Sequence, residues 1–160
     1  MAKLKVIIFD LDYTLWPFWV DTHVDPPFKK SGSKIVDSRG KTIKCYSEVP
    51  QVLEILHKQG YTLAVASRTS EIKGARQLID LFGWEKYFSV KEIFPGCKVT
   101  HINNIKKQTG ANYEEMLFFD DEQRNIFDLT KIGVASILVK DGVNKKVIEE
   151  SLPKFLQKSK

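Results

Sequence analysis

Apolar residues gather in four short runs, Val6–Phe9, Leu63–Ala66, Met116–Phe119 and Ile137–Val139, each aliphatic or aromatic and too short for a buried helix. Such runs mark parallel strands covered on both faces. A weaker run near Phe88–Phe94 is expected to add a strand. Between the runs, apolar positions recur three and four apart, which predicts helices. Ser47 would cap one through Val52, Leu53 and Leu56 to Gly60, and Ser70 another through Ile72, Leu78, Ile79 and Phe82 to Gly83. Two more are predicted over about Thr100–Gly110 and about Glu122–Gly133, and a last over about Asn144–Gln157, where Pro153 should kink or break it. Strands alternating with helices imply right-handed βαβ units. The predicted fold is α/β: a Rossmann-like parallel sheet with helices on both faces, residues 1–160 forming one domain.

One segment departs from this rhythm. Residues 16–46, between the first strand and the first helix, hold Pro17, Pro26, Pro27, Gly32 and Gly40. Within it Ile35-Val36 and Thr42-Ile43 flank Asp37-Ser38-Arg39-Gly40, the pattern of a β-hairpin. Long insertions in compact α/β domains are often functional.

Composition narrows the class. The 160 residues are 42% hydrophobic and 28% charged, which fits a globular chain rather than a disordered one. A membrane helix needs about 20 consecutive apolar residues, and none of the runs approaches that. Met1-Ala2-Lys3-Leu4-Lys5 leads straight into a strand with no signal-peptide core, and Cys45 and Cys97 form no disulfide framework or zinc pattern, so a cytoplasmic location is expected. The nine glycines are never closer than eight residues, which excludes both the dinucleotide-binding fingerprint and the P-loop. Neither cysteine has an arginine six positions on, which excludes a cysteine-dependent phosphatase.

The net charge of +5 is unevenly placed. From Lys29 to Lys44, the six cations Lys29, Lys30, Lys34, Arg39, Lys41 and Lys44 face Asp37 alone, and five lysines follow Val143 against Glu149 and Glu150. The remainder is mildly acidic. A basic flap beside an acidic site would steer phosphorylated substrates by an effect that weakens with salt; a merely solvated hairpin is the alternative.

Chemistry concentrates where strands end, which is where doubly wound sheets bind ligands. Asp10 and Asp12 follow the first strand and should point the same way, and Asp120 and Asp121 follow a later one. Taken singly, the first pair could be a solvated turn and the second a helix N-terminus. Two acid pairs on one small sheet are better explained by a shared hard cation, and an all-oxygen set suits Mg²⁺. None of His23, His57 and His101 has a partner at zinc-ligand spacing. Ser67 ends another strand, in Ala66-Ser67-Arg68-Thr69-Ser70, where a hydroxyl and free helix-start N–H groups could hold a phosphate or simply form a turn. Lys98, in Gly96-Cys97-Lys98-Val99-Thr100-His101, is a cation that could join them, with Lys106 and Lys107 as competitors.

Asp10-x-Asp12-x-Thr14, then Ser67, a lysine and Asp120-Asp121, in that order and over nearly the whole chain, resemble the haloacid dehalogenase superfamily of phosphotransferases. Phe9-Asp10-Leu11-Asp12-Tyr13-Thr14-Leu15-Trp16-Pro17, Ala66-Ser67-Arg68-Thr69-Ser70-Glu71, Gly96-x-Lys98-Val99-Thr100-His101 and Phe118-Phe119-Asp120-Asp121-Glu122 are similar to the eukaryotic magnesium-dependent phosphatase 1 family. That resemblance implies a phosphomonoester hydrolase acting on phosphotyrosine-type protein or sugar-phosphate substrates. It makes Asp10 the nucleophile and Asp12 the acid–base group, with Leu11, Ser67, Arg68 and Lys98 binding phosphate or substrate. Mg²⁺ would be held by Asp10, Asp121 and the main-chain carbonyl of Asp12, with Asp120 behind them or ligating through water, and Asn125 orienting a water of the metal.

Only 31 positions separate Ser67 from Lys98, too few for the lid domain some members carry, so a capless, open site is expected. Trp16, Phe18, Trp19 and Phe28 could stack on a leaving group or pack the insertion down. A phosphoacceptor receiver domain would need its acid pair after the first strand and its single Asp later, the reverse of this order. A polynucleotide-end phosphatase and a non-catalytic basic binding module stay open, although no nucleic-acid motif is present and the rim is acidic. The chain is expected to work as a monomer, with no membrane partner and no nucleic acid.

Overall fold

The computed structural model describes residues 3–158. In chain order the strands are β1 (Val6–Phe9), β2 (Lys29–Ser31), β3 (Lys34–Val36), β4 (Thr42–Ile43), β5 (Thr62–Ser67), β6 (Phe88–Ile93), β7 (Met116–Asp120) and β8 (Ala135–Leu138). The helices are α1 (Val49–Lys58), α2 (Ile72–Leu81), α3 (Lys98–Thr109), α4 (Gln123–Lys131) and α5 (Lys145–Lys158). Five strands form a sheet in the order β6-β5-β1-β7-β8, and every neighbouring pair is parallel. All four runs and the weaker fifth are therefore strands of one sheet.

Alternation along each strand divides the interior in two. Ile7, Phe9, Leu63, Val65, Leu117 and Phe119 face one layer with Leu53 of α1, Leu78 of α2 and Ile148 of α5. Val6, Ile8, Ala64, Ala66, Met116 and Phe118 face the other with Ile102 of α3 and Leu129 of α4. Burial on both faces is why these strands read as unbroken apolar runs. The order also places β1 at the reversal point: the chain leaves it toward β5 and β6, then returns to β7 on its other side. Loops after β1 and β7 diverge there and leave a crevice at the carboxyl ends.

Several helix ends differ from expectation. Glu48, not Ser47, stands at the start of α1, with Pro50 in its first turn. Glu71, not Ser70, caps α2: its carboxylate accepts from the Gly74 N–H at 3.1 Å. A Cβ at Gly74 would lie 2.8 Å from the Glu71 side chain and 3.2 Å from the Phe28 ring, so glycine leaves room for both. Helix α3 starts at Lys98, two residues before the expected Thr100, and α5 runs on through Pro153. Pro153 and Glu149 are exposed, so water can take the carbonyl that a proline nitrogen leaves unpaired.

The insertion is more than a hairpin. Strand β3 pairs with β4 through Ile35↔Ile43, as the turn signal predicts, and β2 adds a third antiparallel strand through Lys29↔Val36. Its lysines hide it from a hydrophobicity reading. Asp37 ties the turn by accepting N–H bonds from Arg39, Lys41 and Asp25 at 3.0, 2.9 and 3.1 Å. Burial pushes its carboxyl up, but those bonds outweigh it and hold the group below the ordinary carboxylate value. The Phe28 N–H donates to Gln77 Oε1 on α2, and Phe28, Ile35 and Ile43 are buried in the core layer facing α1 and α2. All six cations of the segment are exposed. The side chains of residues 154–160, which include lysines of the basic tail, and residues Met1 and Ala2 lie outside the described residues.

Candidate active site

Asp10 is the first residue beyond β1, and its N–H still donates to Phe119 O at 3.0 Å, which keeps it registered against β7. Beyond it the chain turns sharply: the Thr14 and Leu15 N–H groups return to Leu11 O, and Tyr13 takes a left-handed φ of 58°. A non-glycine residue held there stores strain, which is common where a loop must aim side chains. The turn buries Leu11 and sets Asp10 and Asp12 along the same cleft.

Asp10 is nearly buried and both its oxygens are engaged. Lys98 Nζ donates to Oδ1 at 3.1 Å and Thr14 Oγ1 to Oδ2 at 3.2 Å. Lys98 is 1% exposed; its ammonium also donates to Asp120 Oδ2 at 2.8 Å and to Ala66 O at 2.7 Å, and it stands 5.2 Å from the Phe118 ring centre. Burial alone would lower the lysine, but Asp10 and Asp120 outweigh it and raise its pKa. Lys106, by contrast, reaches Asn112 at the other end of α3, so the competition among lysines is settled by the fold.

Asp120 is wholly buried. It accepts from Lys98, from Asn125 Nδ2 at 2.9 Å and from the Glu122 N–H at 2.9 Å. Asp10, Asp120 and Asp121 each offer a carboxylate oxygen within 4.8 Å of the others. Three carboxylates and one lysine leave excess negative charge, and their hard oxygen donors fit Mg²⁺. Burial pushes Asp10 well above its ordinary value, with Lys98 opposing and the other acids adding to the rise. Burial also lifts Asp121 to about 6, a hydrogen bond with Asp10 opposing and Asp120 reinforcing. A bound cation would return both toward ionisation.

Asp12 is held differently. Its Oδ1 accepts from Trp16 Nε1 at 2.8 Å and from the Val20 N–H at 3.1 Å. Burial raises its pKa to about 6 despite those two bonds. Its side chain is not among the clustered cation ligands, so a metal contact would fall to its carbonyl. A carboxyl near pH 6 is tuned for proton transfer close to neutrality.

Ser67 is buried, lines the cleft and accepts from the Thr69 N–H at 3.2 Å, so it combines the turn role with a place at the site. Arg68 also lines the cleft, and its Nη1 donates to Asn125 Oδ1 at 3.4 Å. Asn125 therefore joins Asp120 to Arg68. The cleft measures about 410 Å³. Its wall includes Trp19, a candidate from the sequence, and four residues that sequence reading did not place there: Asp21 and Thr22 from the insertion and Glu122 and Arg124 from the start of α4. Trp16, Phe18 and Phe28 are instead buried, and Trp19 is 48% exposed. None of the six flap cations lines the cleft.

A parallel sheet with acid-bearing loops at its reversal point, a buried lysine and a serine at the next strand end defines a phosphohydrolase of haloacid dehalogenase type. The chain belongs to the Acid Phosphatase family, whose family model matches residues 3–158. It is 52% identical over 157 residues to Magnesium-dependent phosphatase 1 of Homo sapiens, covering 97% of this chain and 89% of the human one. It is 40% identical over 142 residues to a HAD-like hydrolase superfamily protein of Schizosaccharomyces pombe, covering 81% and 82%. Among solved structures, a HAD-superfamily hydrolase from Ehrlichia chaffeensis superposes over 100% of both chains with a TM-score of 0.67 at 12% identity, a likeness of fold alone. No helix among the described residues is long and apolar enough to cross a membrane.

Proposed function

We propose that this chain is a Mg²⁺-dependent phosphomonoester hydrolase that works through an aspartyl-phosphate on Asp10, with phosphotyrosine-type protein substrates or sugar phosphates, glycated-protein phosphates included, as its substrate class. The human relative's name supplies the metal and the reaction class. The observation that carries the reading is the carboxylate of Asp10, drawn to Lys98 at 3.1 Å on one side and clustered with Asp120 and Asp121 on the other.

Asp10, Asp121 and the main-chain carbonyl of Asp12 would hold Mg²⁺, with Asp120 behind them on Lys98 and Asn125. Bound there, the ion offsets charge on the phosphoryl oxygens. Asp10 attacks phosphorus in line, the bond to the leaving oxygen breaks, and Asp12 gives that oxygen its proton. Asp12, now a carboxylate, takes a proton from water as the water oxygen attacks phosphorus and the bond to Asp10 breaks. One group thus serves as acid and then base, and phosphate leaves with Asp10 and Asp12 restored. Lys98, Ser67 and Leu11 hold phosphoryl oxygens, and Arg68 reaches the rest of the substrate.

Hydrolysis of 4-nitrophenyl phosphate with Mg²⁺ tests the reaction. Activity should vanish in chelator and return with added metal. A panel of phosphotyrosine peptides, sugar phosphates, glycated-protein phosphates and nucleic-acid 5′ ends then tests the substrate class. Best turnover on nucleic-acid ends would overturn the protein and sugar reading.

A further inference from the structure

Trp16 sits at the first turn of the insertion, fully buried, in a stack of rings. Its ring lies 5.5 Å from Phe18 at 3°, 6.3 Å from Trp84 at 12° and 6.3 Å from Phe82. Stacking alone does not require an indole nitrogen. The neighbouring Trp84 shows this: its Nε1 is buried with no partner among the described residues. Trp16 differs, because its Nε1 leaves the stack and donates to Asp12 Oδ1 at 2.8 Å. The Val20 N–H donates to the same oxygen at 3.1 Å. The backbone closes around the pair, with the Tyr13 N–H on Trp16 O at 2.7 Å.

Two N–H donors on Oδ1 have a chemical consequence. An oxygen accepting both cannot itself bear the acid proton without a clash of hydrogens. The proton therefore resides on Oδ2, which has no protein partner among the described residues, on a side chain that lines the cleft. The indole cannot rotate away, because rings pack its faces. We propose that Trp16 is a positioning residue: its indole N–H fixes the carboxyl of Asp12 so that Oδ2 alone delivers and recovers the proton. The inference rests on the acid–base role given to Asp12 under the proposed function.

The step it serves is proton transfer to the leaving oxygen as the phosphorus–oxygen bond breaks. Help from an acid matters little when the leaving group is already a good anion and much when it is not. Trp16→Phe keeps a stacking ring and removes the donor. Its kcat/KM should fall about tenfold or more for phenyl and benzyl phosphate and less than about threefold for 4-nitrophenyl phosphate, within the range for general acid catalysis. Replacing Trp16 by benzothienylalanine, which swaps N–H for sulfur in the same ring shape, should do the same, and serves if the phenylalanine variant folds poorly. With Asp12→Ala as background, removing the indole N–H should add no further leaving-group dependence.

An equal loss across the three esters, no loss, or full additivity with Asp12→Ala would overturn the positioning role while leaving the hydrolase reading intact. Absence of Mg²⁺-dependent hydrolysis in the unsubstituted protein would overturn both.

Discussion

Lys98 and Asp10 lie 88 positions apart in the chain and form an ion pair of 3.1 Å, with the lysine 1% exposed. The pair exists because α3 begins at Lys98, which aims its side chain under the ends of β1 and β7. Removing one partner of such a pair strands the other charge in the interior. Lys98→Met should abolish turnover and cost about 3–5 kcal/mol of stability at pH 7. Urea unfolding of the variant beside the unsubstituted protein measures it; a loss under about 1 kcal/mol would contradict the burial.

Asp10→Asn keeps the shape and the Thr14 and Lys98 contacts but removes the attacking charge. Turnover should fall by at least about a thousandfold, the scale of losing a covalent nucleophile. The melting temperature should stay within a few °C or rise, since one buried negative charge is gone. Radiolabelled phosphate trapped on the protein in acid quench should disappear with this substitution.

The buried acids make stability depend on pH. Asp12 and Asp121 titrate near 6 in the folded protein, above their ordinary value of 3.8. Between those limits the folded state binds more protons than the unfolded one, so stability from these groups is full below about pH 4 and lost as pH rises through 6. Metal-free protein should therefore melt a few °C higher at pH 5.5 than at pH 7.5. Added Mg²⁺, which binds ionised carboxylates, should stabilise more at pH 7.5 than at pH 5.5. Melting curves in chelator and in Mg²⁺ at both values check the sign.

The six exposed cations of the insertion stand clear of the cleft wall, so any effect on substrate acts at a distance. Changing Lys29, Lys30 and Lys34 together to Gln should leave kcat unchanged and lower kcat/KM severalfold for a phosphopeptide at low salt. The difference should close by about 0.5 M salt, where the Debye length is only a few Å. Equal salt dependence in both proteins would show a merely solvated flap.

Gly142 has a φ of +75°, and a Cβ there would run into the ring of Tyr46. Gly142→Ala should cost more than about 1 kcal/mol through strain and collision together. Thermal unfolding measures it; an unchanged melting temperature would mean that Tyr46 moves freely.

Local patterns carried much of this protein. Strands β1, β5 and β7 are apolar runs because both their faces are covered, and the acids at 10, 12, 120 and 121 stand at the ends of β1 and β7, so strand and site announce each other in a few adjacent residues. The turn at Asp37–Gly40 was readable for the same reason. Helix starts were not: Glu71 displaced Ser70 as a cap because Gly74, lacking a Cβ, leaves room for its longer carboxylate beside the Phe28 ring. Strand β2 was hidden because an exposed edge strand of Lys-Lys-Ser has no apolar period. Tertiary structure alone chose Lys98 over Lys106 and Lys107, since only the fold shows which lysine loses its water. It also separated Trp16 from Trp19, two indoles three residues apart. One is walled into the core with its N–H on Asp12 and the other is left on the cleft wall, a division set by packing on Phe82 and Trp84, between α2 and β6, that neighbours in sequence cannot encode.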